Sequence, residues 1–175
     1  MTYRTNARLA GFTFLLYIVA GISSMGLSGR HHATDLLSLL TSLCALTLGV
    51  TLYALTREVD ADLALLALTC RVVEAIPGHE GAIFFAVGST LFSWLFLRGR
   101  MIPAALAWLG VFASVLLVVV LPLQKVGLFG GPTKWASAMA WLIWLPALVF
   151  EVTLALWLLI KGVAAPAASS AASRA

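Results

Sequence analysis

Residues 102–121 read IPAALAWLGVFASVLLVVVL, an apolar stretch that contains no charged side chain. A helix rises about 1.5 Å per residue, so a helix of this length would cross the roughly 30 Å hydrocarbon core of a bilayer. A strand of a transmembrane barrel would instead alternate apolar and polar side chains, and this stretch does not alternate. The stretch therefore predicts a transmembrane α-helix.

The rest of the chain has the same character. Of its 175 residues, 62% are hydrophobic and 10% are charged, and the mean hydropathy is +1.03. A soluble domain is about half apolar and about a quarter charged. Because only lipid can cover so much apolar surface, the composition predicts an all-α polytopic transmembrane bundle. The predicted domain is residues 1–163, with a disordered Ala- and Ser-rich tail at 164–175, and the six predicted spans are 9–27, 35–56, 63–76, 81–97, 102–121 and 135–160.

The third of these segments is the weakest span. Roughly 20 apolar residues are needed to cross a bilayer, and residues 63–76 are fewer and include Arg71 and Glu74. We expect either a short span or a helix that lies partly within the protein interior.

The distribution of Lys and Arg supports six spans. With six spans both termini share one side, which holds seven basic residues against three on the other side. Basic residues are enriched in cytoplasmic loops, so both termini are predicted to be cytoplasmic in a bacterial inner membrane. The first group is Arg4, Arg8, Arg57, Arg98, Arg100, Lys161 and Arg174, and the second is Arg30, Lys125 and Lys134.

Arg71, Glu74 and Glu151 are ionisable residues deep within apolar segments. A charge at the bilayer centre costs about 2.5–3.5 kcal/mol on insertion scales, so such residues face the protein interior and find partners. Arg71 and Glu74 are three residues apart and share a helix face. Counting from Arg57 and Lys161 places Arg71 and Glu151 at similar depths. We therefore predict that Arg71 pairs with Glu74, Glu151 or both, and these residues are the candidate catalytic group.

Two interpretations of this group remain open. In the first, a buried ion network fixes the helix register, as in a non-enzymatic carrier or accessory membrane subunit. In the second, the residues form a pocket in which an enzyme of cyclase or isomerase type acts on a lipophilic small molecule by acid/base chemistry. Desolvation would favour the protonated form of one carboxyl, and a neutral acid in an apolar pocket can donate its proton. An enclosed cavity of a few hundred Å³ that touches both carboxyls would favour an enzyme or carrier. Direct saturation of both carboxyls by Arg71, with no void, would favour a structural role.

Other residues are interpreted more plainly. Thr34 or Asp35 is expected to cap the second span, and Cys44 and Cys70 are expected to be packing residues. Trp141 and Trp144 are interpreted as core packing, with the alternative that they line a pocket. A cluster near the outer surface fits no known metal motif, so no metal is expected there. That cluster is His31, His32, Asp35, His79 and Glu80.

The expected partners are the bilayer and a lipophilic small molecule. The sequence contains no Gly-rich phosphate loop and no nucleophile elbow, so no cofactor is predicted. Basic residues flank the apolar runs rather than forming a stripe on a soluble domain, which argues against a nucleic-acid partner.

Four segments resemble a bacterial membrane-protein family catalogued as domain of unknown function 4386. They are ARLAGFTFLLYIVAG, LYALTREVDADLALLALTCRVVEA, FSWLFLRGRMIPAALAWLGVFAS and EVTLALWLLIKGV, at 7–21, 52–75, 92–114 and 151–163. The resemblance implies the membrane architecture and no activity. The placement of acidic residues in an early and the last helix is also similar to that of small integral-membrane terpene cyclases, an analogy of placement rather than of motif.

The charge bias makes a topological prediction. Reporter fusions at Arg57, at Arg98 and at the C-terminus should all report a cytoplasmic location. A periplasmic signal at Arg98 would contradict the six-span topology, because that loop changes side if residues 63–76 do not cross.

Overall fold

The computed structural model describes residues 2–27, 31–76, 81–128 and 138–164. Within these ranges the chain is helical and contains no strand, so the predicted all-α bundle is confirmed. The predicted tail beyond residue 164 lies outside the described residues, as do His79 and Glu80 of the outer cluster. The helices are α1 (Tyr3–Gly26), α2 (His31–Thr56), α3 (Ala61–Glu74), α4 (Gly81–Arg98), α5 (Ala104–Lys125) and α6 (Ala138–Ile160).

Two helices begin earlier than the apolar pattern predicted. The Thr2 side chain accepts a hydrogen bond from the Thr5 N–H at 3.3 Å and caps α1, which therefore starts before the apolar stretch at Leu9. α2 begins at His31, so the prediction that Thr34 or Asp35 caps it is wrong. A helix that enters a membrane can carry polar residues in its first turns, where water and headgroups solvate them, so hydropathy alone places the start too late.

Five of the six helices are long and apolar enough to cross a membrane, and α3 is the exception. Its 14 residues rise about 21 Å, less than the roughly 30 Å of the hydrocarbon core. α3 has a well-formed start, because the Asp60 side chain caps it by accepting from the Leu63 N–H at 3.1 Å.

The helices form a closed ring in which each packs on the next and α1 packs on α6. At one end, the Arg98 guanidinium at the end of α4 donates to Asp60 before α3 at 2.8 Å. At the same end, the Ala164 N–H after α6 donates to the Met101 carbonyl before α5 at 3.0 Å. Thr2 lies beside Leu159 of α6. We call this the proximal end and the opposite one the distal end; α3 runs antiparallel to α2 and α4 between them.

The outside of the bundle is apolar, and the proximal part of its interior is close-packed. Leu36, Phe112 and Leu142 are 67%, 64% and 70% exposed, which suits contact with lipid chains rather than water. Inside, α1 and α6 approach closely at Gly11, where an added methyl carbon would lie 2.6 Å from the Ala155 carbonyl oxygen. This contact closes the ring.

Replacement of Gly11 by alanine should therefore destabilise the bundle. The new methyl group meets backbone, which cannot move aside as a flexible side chain would, and we expect a loss of about 1–3 kcal/mol in the free energy of unfolding. Gly21→Ala in the same helix is the matched control, because nothing lies within 4 Å of an added carbon there. The Gly21→Ala substitution should leave the free energy of unfolding unchanged or raise it by up to about 1 kcal/mol, because alanine has the higher helix propensity. Equal melting shifts for the two variants in detergent would contradict the proposed packing.

Candidate functional site

Arg71 lies in the last turn of α3 and is only 1% exposed. Two glycines on the neighbouring helices make room for it. An added methyl carbon at Gly49 of α2 would lie 2.9 Å from the Arg71 Cβ, and one at Gly88 of α4 would lie 3.2 Å from the Cys70 Cβ. α3 is thereby held tightly between α2 and α4, and its last turn points the guanidinium into the bundle.

The predicted pairing of Arg71 with Glu74 is confirmed. Arg71 Nη1 lies 2.9 Å from Glu74 Oε2 and 3.2 Å from Oε1. Glu74 Oε1 also accepts a hydrogen bond from the Tyr17 hydroxyl of α1 at 2.7 Å. Charge-assisted bonds of this kind are stronger than neutral ones, so these contacts hold the Glu74 side chain firmly in place.

The guanidinium makes further contacts on its other side. Arg71 Nη2 donates to Ser89 Oγ of α4 at 3.2 Å, and Arg71 Cζ lies 5.0 Å from the centre of the Phe85 ring. The Phe85 ring stacks on Tyr17, with centroids 6.4 Å apart, and contacts Trp144 of α6 at 6.1 Å. A cation over a desolvated aromatic face gains of the order of 2 kcal/mol. Four helices thus contribute to the surroundings of one charge.

Glu151 of α6 is placed differently. Its side chain is buried, with 7% of the residue exposed, and its Oε1 atom has no hydrogen-bond partner. It lies within electrostatic range of Arg71 and Glu74 but forms no ion pair with Arg71. Of the two predicted partners of Arg71, only Glu74 is therefore paired.

Both carboxyls line one cavity of about 850 Å³ in the distal half of the bundle. Arg71 is not part of its wall, because Glu74 lies between the guanidinium and the cavity. The wall is mostly apolar, and its aromatic members are Tyr17, Phe85, Trp141 and Trp144. The two tryptophans thus line a pocket, which was the alternative to the core-packing interpretation. The remaining polar side chains in the wall are Ser24, Ser38, Thr41 and Ser42.

Sequence reasoning missed Tyr17, Phe85 and Ser89. A signal existed for Tyr17 and Ser89, because a hydroxyl in an apolar span needs a partner. No signal existed for Phe85, which is one of nine phenylalanines. The cysteine interpretation holds, since Cys44 and Cys70 are buried and free.

The outer cluster is only partly described. His79 and Glu80 lie outside the described residues, and so does the side chain of His31. Among the residues that the structure describes, no group of three or more His, Cys, Asp or Glu side chains could hold a metal ion.

The buried pair makes a prediction about stability. Arg71→Ala leaves the Glu74 carboxylate without its cation, so the free energy of unfolding should fall by about 3–5 kcal/mol. Arg98→Ala is the matched control, because Arg98 pairs with Asp60 at the same 2.8–2.9 Å range but is 54% exposed, and it should cost about 0–1 kcal/mol. Unfolding by denaturing detergent measures both. A loss at Arg71 no larger than that at Arg98 would contradict a buried, paired guanidinium.

Comparison with known proteins adds one finding to this geometry. No curated protein and no solved structure matches the chain. Residues 78–162 match the family described as Domain of unknown function (DUF4386), as the resemblance implied. The matched range includes Phe85, Ser89 and Glu151 but begins after Arg71 and Glu74. The chain is therefore a helical protein of membrane type whose residues 78–162 are similar to the DUF4386 family.

Proposed function

We propose that the distal cavity binds a lipophilic small molecule and that Glu151 acts on it as an acid. The observation that carries this proposal is that two carboxyl groups in one cavity differ in their hydrogen-bond donors. Glu74 receives hydrogen bonds from Arg71 and Tyr17, whereas a buried oxygen of Glu151 receives none.

From this difference we infer different roles for the carboxyl groups of Glu74 and Glu151. An ionised Glu151 would be desolvated without a donor to offset the cost, so the carboxyl retains its proton. Glu74 is instead paired with the Arg71 guanidinium, which offsets the cost of burying its charge. Pairs of carboxyls in unlike surroundings are a common arrangement for acid/base chemistry, and an acid kept neutral by an apolar site is a proton donor.

The cavity wall defines the class of molecule. Ligand pockets are about 300–1,000 Å³, mostly apolar, with a few polar groups for orientation, and this cavity fits that description. The ligand is therefore lipophilic, with a group that can accept a proton, such as an alkene, an epoxide or a carbonyl. Its polar atoms can reach the hydroxyls of Ser38, Thr41 and Ser42.

A cyclisation or isomerisation would be balanced with these residues alone. Glu151 gives its proton to the ligand, a new bond to hydrogen forms, and the carboxyl becomes a carboxylate. Loss of a proton from another carbon of the ligand restores the acid, so no oxidant or reductant is consumed. Positive charge that develops on the ligand in between would lie near the aromatic faces of Tyr17 and Trp144.

A carrier is the second candidate function, and the position of the cavity favours it. The described wall residues all lie in the distal half of the bundle, so the site is closer to one face of the membrane than to the other, as in one state of an alternating-access carrier. The two functions differ in one respect: a carrier returns its ligand chemically unchanged.

The test uses purified protein in liposomes incubated with the total lipophilic extract of the host membrane. Mass spectrometry then follows the disappearance of a component and the appearance of an isomer. Glu151→Gln keeps the size of the side chain but cannot donate an acidic proton, so conversion should fall by about 10²–10⁴-fold while the protein remains folded. Glu58→Gln, at an exposed residue of the proximal end, is the matched control and should convert like the parent.

The outcomes separate the proposals. Full conversion by Glu151→Gln would overturn the assigned role of Glu151. A component that copurifies unchanged and is never converted would favour the carrier. Neither conversion nor copurification by the parent would contradict both functions and leave the buried charges a structural role.

A further inference from the structure

A second cleft, of about 520 Å³, lies at the proximal end between α1 and α6, remote from the distal cavity. Toward the proximal edge the cleft is lined by Arg4, Arg8, Thr2 and Thr5. Toward the middle of the bundle it is lined by Phe12 and Leu159. The cleft is thus basic and polar at the proximal edge and apolar toward the middle of the bundle.

The positive charges of Arg4 and Arg8 are not balanced by an ion pair in the described part of the chain. They are four residues apart, so they share a face of α1, where like charges repel. Both are exposed, and within the described part of the chain neither has an ion pair. An anion held between them would offset this repulsion, and guanidinium groups bind phosphate with paired hydrogen bonds.

The apolar wall continues directly below the charges. Phe12 lies one helical turn after Arg8, about 6 Å deeper, and is 60% exposed. Close contact of α1 with α6 at Gly11 brings Leu159 up to form the floor. This order of surfaces matches a molecule with an anionic headgroup and an acyl chain.

We infer that the cleft binds one anionic glycerophospholipid of the surrounding leaflet. Arg4 and Arg8 bind its phosphate, and an acyl chain lies along Phe12 and Leu159. The charge bias predicts that the proximal end faces the cytoplasm. Basic pockets between transmembrane helices on that side bind anionic headgroups, and the cytoplasmic leaflet is the anionic one. The lipid would bridge the first and last helices where the ring closes.

The test is a titration of the purified protein in a neutral detergent with phosphatidylglycerol, followed by native mass spectrometry. Phosphatidylcholine with the same chains is the neutral comparison, and glycerol 3-phosphate supplies the charge without the chains. The parent should bind phosphatidylglycerol at least about tenfold more tightly than either. If glycerol 3-phosphate binds as tightly as the lipid, the proposed contact of an acyl chain with Phe12 and Leu159 is overturned.

The variant is the double substitution Arg4→Gln and Arg8→Gln. Each basic residue near a membrane surface contributes about fivefold to the binding of anionic lipid, so the pair should cost roughly 30-fold. Arg57→Gln with Arg100→Gln removes the same charge from exposed residues of the same end, outside the cleft, and should change affinity by less than about threefold. Equal losses in the two double variants, with both folded by circular dichroism, would overturn the site in favour of diffuse surface charge.

Discussion

Arg71 is buried in a bundle whose exterior is apolar, where removing its partner would cost several kcal/mol. The surrounding helices are arranged around this charge. Gly49 and Gly88 admit α3, and Glu74, one turn along the same helix, supplies the anion. Ser89 and the Phe85 ring, both of α4, complete its surroundings. This set of contacts fixes the rotation of α3, a helix too short to be positioned by the bilayer alone.

The same pairing determines what the cavity presents to a ligand. Because the Glu74 carboxyl already accepts hydrogen bonds from Arg71 and Tyr17, those contacts hold it in place at the cavity wall. Glu151 approaches from the opposite side of the ring without a donor of its own. Had Arg71 reached both carboxyls, the group would be a closed ion network, and the structural interpretation would explain it completely. The unpaired oxygen of Glu151 is what favours chemistry or transport.

The features that follow from local geometry were predictable from the sequence. Apolar runs of about 20 residues determine the helical bundle, and the three-residue spacing of Arg71 and Glu74 places them on one face whatever the tertiary structure. Which side chains of other helices meet this pair was not predictable. The relative rotation of α1, α3 and α4 brings Tyr17 to Glu74, and Phe85 and Ser89 to Arg71. The same holds for the cavity and for the unpaired state of Glu151. The start of α2 at His31 was missed because hydropathy indicates which residues lie in the hydrocarbon core, and a helix can begin before it enters the core.

The central proposal is that Glu151, and not the paired Glu74, is the proton-donating acid of the cavity that both residues line. Dicyclohexylcarbodiimide tests it directly, because this reagent enters apolar sites and reacts with protonated carboxyl groups to form a stable N-acylurea. Peptide mass spectrometry after labelling in detergent at neutral pH should find the adduct on Glu151 and none on Glu74. An adduct on Glu74 with Glu151 unmodified, or equal labelling of both, would contradict the assignment.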